Sequence, residues 1–144
     1  MKTAMLQPRL DQLQAETIAM LDDARVLLTG ERAAALEGIA AVRWRLARKL
    51  REYQLFKHAR IFDPAITSGS PSLEDAGRQL KIHCIAGGEH FRRYVREWTS
   101  ADLAERWAEF EAATTEIDRN LRDHLSAEGV QVRLLLARAD QEGK

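Results

Sequence analysis

The stretch "LAERWAEFEAATTEIDRNLRDHLSAEGVQVRLL", residues 103–135, decides the fold class. Its apolar residues recur in steps of three and four: Leu103, Trp107, Phe110, Ile117, Leu121, then Val132 and Leu135. That is the period of one face of an α-helix, and no strand alternation competes with it. The same stepping passes through Thr114, His124 and Glu128. In a continuous helix His124 and Glu128, one turn apart, therefore face inward. An isolated buried carboxylate costs several kcal/mol even after relaxation. Glu128 needs a partner: a protonated histidine, a metal ion, or solvent reached where the helix frays.

Working outward, three further segments carry helical stripes. The first runs Leu6, Leu10, Leu13, Thr17, Leu21, Ala24, Leu28. The second begins Leu36, Ile39, Val42, Leu46, Leu50, after which Tyr53 and Gln54 compete for the next place. The third runs Leu73, Ala76, Leu80, His83, Gly87, His90, Tyr94, Trp98. Breaks fall near Gly30, in "FDPAITSGSPSLED" and near Ser100. The spacing predicts helices over about 8–28, 31–62, 73–98 and 101–138. Ser72 is read as the N-cap of the third, and Thr99 or Ser100 as that of the fourth, with Asp102 in its first turn. Four helices with short connections and one apolar face each predict an all-α, antiparallel up-down-up-down four-helix bundle, a single domain over 1–144.

Composition fits that reading. The chain has 144 residues, 45% apolar and 31% charged, an ordinary balance for a soluble domain. Lys plus Arg equals Asp plus Glu at 22 each, so no net charge draws it toward nucleic acid or an anionic membrane. The single cysteine, Cys84, excludes an intramolecular disulfide and suits a reducing compartment. "MKTAMLQPRL" offers no apolar leader, and no apolar run approaches the roughly 20 residues of a membrane span. The expectation is a cytoplasmic protein. Residues 43–60 carry seven Lys or Arg against one Glu, whereas Asp102–Glu128 carries eight acidic residues against three basic ones. Complementarity inside the bundle accounts for both, and no nucleic-acid partner is expected. Trp98 and Trp107 read as core anchors, while Trp44 falls off its stripe.

The four histidines are His58, His83, His90 and His124. Counting from the turns at about 1.5 Å per residue groups His58, His83, His124 and Glu128 at one depth, with His90 about two turns away. Three imidazoles and one carboxylate suit a single Zn or non-haem Fe ion. In "CIAGGEHF", residues 84–91, the paired glycines read as a kink or C-cap that splits the third helix, with a void left by Gly87 on the core face as the alternative, and Cys84 lies one residue off the stripe.

The chain resembles the hemerythrin-like, or HHE cation-binding, bundle. "LRDHLSAEGVQVRLLL" resembles that family's last helix, with His124 and Glu128 as its H-x-x-x-E pair, and "LREYQLFKHARIFDPAI" resembles the end of its second. The resemblance implies inward histidines and two such pairs holding two irons. Aligned on Pro64, however, Gln54 stands in place of a histidine and His58 in place of a glutamate. Gly87 and Thr17 also stand where histidines are expected. The implied site shrinks to at most one Fe or Zn ion on His58, His83, His124 and Glu128, with a sensing or binding role in place of di-iron oxygen carriage. The alternative is a metal-free bundle acting as a regulatory or protein-interaction module, with a protein partner or a second copy. No nucleophile elbow, phosphate loop or paired carboxylates appear, and no histidine has the H-x-x-K-G setting of a phosphoryl acceptor, so no enzyme is expected.

Overall fold

A computed structural model of the chain describes residues 1–99 and 101–143. It is all-helical, with no strand among the described residues, and four long helices dominate. α1 spans Leu6–Thr29 and α2 spans Arg32–Lys57. A π-helical turn, His58–Phe62, and the short α3, Asp63–Ile66, extend α2. α4 spans Pro71–Thr99 and α5 spans Trp107–Glu142. No described helix is long and apolar enough to cross a membrane.

The boundaries have local causes. α1 stops at Gly30, whose N–H turns back to the Leu27 carbonyl. The π turn ends at Asp63, whose N–H reaches back five residues to the His58 carbonyl. The interruption falls where Pro64 withdraws the N–H that the Arg60 carbonyl would use in an α-helix. Gly69, at φ +82°, makes the left-handed turn that β-carbons disfavour. α4 then begins two residues earlier than the Ser72 cap implies. Pro71 takes the first helical position, and the capping contact comes from Ser70, whose Oγ accepts from Leu73 N at 3.5 Å, in place of Ser72. α5 begins six residues later than the spacing predicts. Asp102 instead folds a tight turn, its carbonyl accepting from Arg106 N at 3.0 Å. Thr99 belongs to the end of α4, its hydroxyl bonded to the Val95 carbonyl, and the alternative cap Ser100 lies outside the described residues.

One apolar cluster joins the helices. It takes Leu6, Leu10, Leu13 and Leu21 from α1, and Ile39, Leu46, Leu50 and Tyr53 from α2. α5 adds Phe110, Ile117, Leu121, Leu125, Val132 and Leu135. Around the 101–106 turn, Tyr94, Trp98 and Trp107 gather their rings about Phe110 at 5.6–6.4 Å. The buried face of α4 is Leu73, Gly77, Leu80, Cys84, Gly88, Phe91, Tyr94 and Trp98. In its middle this face lies one residue C-terminal to the stripe read from sequence. It buries Cys84 and leaves His83 and His90 exposed.

The two helical glycines Gly77 and Gly87 differ in what surrounds them. A β-carbon on Gly77 would lie 3.0 Å from Ala65 Cβ and 3.2 Å from the Phe62 carbonyl oxygen. At Gly87 the nearest atom is His124 Cε1 at 3.4 Å, an ordinary contact. Gly77→Ala is therefore expected to destabilise by about 1 kcal/mol, overpacking outweighing the gain in helix propensity. Gly87→Ala is expected to stabilise by up to about 1 kcal/mol. Chemical denaturation of the two variants checks the opposite signs.

Candidate functional site

The buried charge of the bundle is concentrated where α1, α2, α4 and α5 meet. Lys57 and Glu128 form an ion pair there, Nζ to Oε1 at 2.6 Å, with side chains 1% and 3% exposed. The hydroxyl of Tyr53 donates to the same Oε1 at 2.8 Å. Gln14 Nε2, from α1, donates to the Tyr53 hydroxyl at 2.9 Å and to the Leu125 carbonyl at 3.0 Å. Lys57 also donates to Cys84 Sγ at 3.3 Å and lies 3.9 Å from the centroid of the Tyr53 ring. The ammonium thus has three electron-rich partners: a carboxylate, a sulfur and an aromatic ring.

Local sequence explains how the lysine reached the core. Tyr53 and Gln54 compete for one place in the α2 stripe, and the winner fixes the next inward position. Tyr53 takes it, which turns Lys57 and then Ile61 inward. Gln54 would have led to His58. In the structure His58 is half-buried on the π turn, its ring edge-on to Phe62 at 5.2 Å. Burial, then the nearby Lys57 and Lys81 charges, holds its pKa below the ordinary histidine value.

The four residues expected to share a metal are therefore not brought together. Glu128 is inside, as its spacing requires. His124 is half-buried beside it, Nε2 to Oε2 at 3.5 Å. His83 is exposed on α4, and His58 packs against Phe62. Among the described residues no three His, Cys, Asp or Glu side chains converge as a ligand set. Of the Glu128 carboxylate oxygens, Oε1 already receives an ammonium and a phenol, and Oε2 faces His124. As arranged, the four residues do not form one ligand set. Glu128 found a partner outside the three expected from its spacing: a buried lysine.

Electrostatics reflect that arrangement. Burial alone raises the Glu128 pKa, but the neighbouring His124 imidazole and the charge and bond of Lys57 outweigh it and hold it at about 2. Burial, and then the Glu128 charge, push the Tyr53 phenol well above its ordinary value. Burial also raises the Cys84 thiol, against the pull of Lys57, so Cys84 is a packed thiol with no activation. Thr17, on the α1 stripe, satisfies its hydroxyl on the Leu13 carbonyl at 2.8 Å and takes no part.

Beside the ion pair a cleft of about 730 Å³ opens between α2 and α4, with α5 as its floor. Lys57, Cys84 and His124 line it, as do Gly87 and Gly88. The paired glycines do not split α4, and the space beside them is partly filled, the His124 imidazole packing against Gly87 and the Gln54 amide against Gly88. The charge complementarity expected between the basic and acidic segments is also redistributed. Asp118 of α5 pairs with Arg25 of α1 and with Arg122 of α5 itself. Lys49 of α2 meets Glu16 of α1. Lys57–Glu128 is the ion pair that joins α2 to α5 among the described residues.

In comparisons with family models, curated proteins and solved structures, nothing matches this chain.

Proposed function

We propose that the chain is a metal-free, non-enzymatic binding bundle, a divergent relative of hemerythrin-like domains with up-down-up-down topology. In this reading the Lys57 ammonium takes the place of the central cation. The observation that carries it is the buried Lys57–Glu128 contact at 2.6 Å. An ammonium there neutralises the carboxylate without a metal, and Tyr53 and Gln14 extend its hydrogen bonding. The retained His124 and Glu128, one turn apart on α5, support the kinship. The cleft along α2 and α4 supports a binding role, since its volume lies in the range typical of small-molecule sites, about 300–1,000 Å³.

A second reading keeps one Fe or Zn ion on His124 and Glu128. It is favoured by one observation: Glu128 Oε2 is buried without a hydrogen bond and faces the imidazole at 3.5 Å.

Elemental analysis of untagged protein, purified without chelator and again after incubation with Fe(II) or Zn(II), separates the two. The expected result is a folded protein with well under one equivalent of either metal. One equivalent, lost on His124→Ala with Glu128→Ala, would replace the proposal with the second reading.

A further inference from the structure

The residues lining the cleft divide sharply by chemistry. Its body is apolar, built from Leu50 of α2, Phe91 and Val95 of α4, and Ile117, Leu121 and Leu125 of α5. Its rim is cationic, with Arg48 and Arg51 on α2 and Arg92 and Arg96 on α4, all exposed. No aspartate or glutamate lines it. Arg92 pairs with Glu89, and Lys57 at the inner end is held by Glu128. Arg48, Arg51 and Arg96 make no ion pair among the described residues. In a chain with equal numbers of acidic and basic residues, this absence of carboxylates is a local property of the cleft.

We propose that the cleft between α2 and α4 is a binding site for a monoanionic amphiphile with an elongated apolar body, the class of a medium-chain fatty acid, whose carboxylate is held by the rim arginines. From Trp44 to Lys57 the α2 wall runs about 20 Å at 1.5 Å per residue, which calls for an extended occupant. Of the polar side chains that also line the cleft, Tyr53, His90 and Asn120 are already hydrogen-bonded within the protein, which leaves Gln54 and His124 as the few partners for a sugar or nucleobase. The apolar body does offer what an alkyl chain needs, removal from water along its length. Arginine is suited to the head group because its fork receives a carboxylate through two parallel bonds. Lys57 is not free for that duty, since releasing it would strand Glu128. The head group therefore sits at the rim and the chain lies along the floor. The inference rests on the reading of the chain as a binding module and names the ligand class for it.

The test uses Trp44, 65% exposed at the cleft mouth, as reporter. Tryptophan emission is followed as dodecanoate is added below its micelle concentration. Dodecanol and dodecyltrimethylammonium serve as neutral and cationic controls, and Trp44→Phe assigns the signal. The expected result is saturable binding of one dodecanoate per chain, with both controls at least about ten-fold weaker. Arg51→Gln and Arg96→Gln should each weaken dodecanoate about ten-fold or more, while their melting temperatures stay at the parent value. Val95→Phe, which fills the cleft from α4 without touching the ion pair, should abolish binding.

Equal affinity for dodecanoate and dodecanol, or arginine variants that bind like the parent, would overturn the charge recognition. Absence of saturation would overturn the site. So would a dimer in sedimentation that Val95→Phe dissociates, since a second copy would then cover the cleft. Titrations on chelator-treated and metal-incubated protein keep the two proposals apart. Metal uptake with dodecanoate binding preserved sinks only the metal-free reading. A metal-free protein that does not bind dodecanoate sinks only this inference.

Discussion

Lys57→Met is expected to destabilise the fold by about 3–5 kcal/mol at neutral pH, lowering the melting temperature by roughly 10 °C. Methionine nearly preserves the volume of the side chain, so little of this is lost packing. The cost arises because Glu128, 3% exposed, keeps its charge and loses its counter-ion. His124 approaches only the other carboxylate oxygen, at 3.5 Å and half-buried itself, and replaces the lysine in part. Tyr53 remains as a neutral donor to Oε1, which softens the loss without cancelling it. Glu128→Gln should cost less, since the Lys57 ammonium keeps the Tyr53 ring, the Cys84 sulfur and a new amide oxygen as partners. Lys57→Met combined with Glu128→Leu should recover most or all of the parent stability, because apolar pairs often equal or exceed the buried ion pairs they replace. Urea unfolding of the parent, Lys57→Met, Glu128→Leu and the double variant gives the coupling energy from the double-mutant cycle. A Lys57→Met variant within about 1 kcal/mol of the parent would mean that water reaches the pair.

Whether a buried pair that an apolar pair can replace nevertheless contributes something is a matter of geometry. Lys57–Glu128 joins α2 to α5, Gln14 brings in α1, and Cys84 brings in α4. A hydrogen-bonded charge fixes rotation and register of helices more sharply than leucines do, as a single polar core residue fixes coiled-coil register. The network also forms the closed inner end of the cleft. The same lysine that occupies the centre of the bundle sets where the open volume begins.

The fold class was legible in residues 103–135 and its neighbours, because helical periodicity is a property of the local chain. Glu128 was legible for the same reason. What failed was phase. On α4 the stripe through His83, Gly87 and His90 and the stripe through Cys84, Gly88 and Phe91 both fit steps of three and four. Only tertiary packing chooses between them. Phe91 buries far more apolar surface than His90 would, and glycines at 77 and 88 sit where Ala65 and the Gln54 amide approach closely. On α2 the competition between Tyr53 and Gln54 was visible, but the Tyr53 branch leads to a lysine, and burial of a lysine is among the rarest outcomes. The signal that favoured it was the need of Glu128 for a cation. Partners from another helix, such as Gln14 on Tyr53, leave no mark in local spacing. Helix ends moved for local reasons: Asp102 favours a turn of its own over the start of a helix.

Acid unfolding provides the second large effect. The Glu128 carboxyl is held at about 2 in the folded protein against an ordinary 4.5. Its folded pKa is thus below its unfolded one, so its contribution to stability is fully present above about pH 4.5 and is lost as pH falls toward 2. The displacement corresponds to roughly 3 kcal/mol. The groups facing it are Gln14 from α1, Tyr53 and Lys57 from α2, Cys84 from α4 and His124 on α5 itself. Tyr53 and Cys84 are pushed up and remain neutral through this range, so neither takes up the proton that Glu128 accepts. Once Glu128 is neutral, Lys57 becomes the stranded charge, and the unfolded state gains. Carboxylates outside the core such as Glu16 and Glu89 are also held below their ordinary values by Lys49 and Arg92, and they titrate in the same window. The variant carrying Lys57→Met and Glu128→Leu removes only the buried pair. Its stability between about pH 5 and pH 2 should therefore fall less steeply than that of the parent, by on the order of 3 kcal/mol across the window. Lys57→Met alone should show the reverse limb. With its cation gone, Glu128 protonates readily, so that variant should approach the parent as pH falls through the carboxylate range. Parallel acid limbs for the parent and the double variant would show that the proton enters elsewhere and that Glu128 is not held low by its partners.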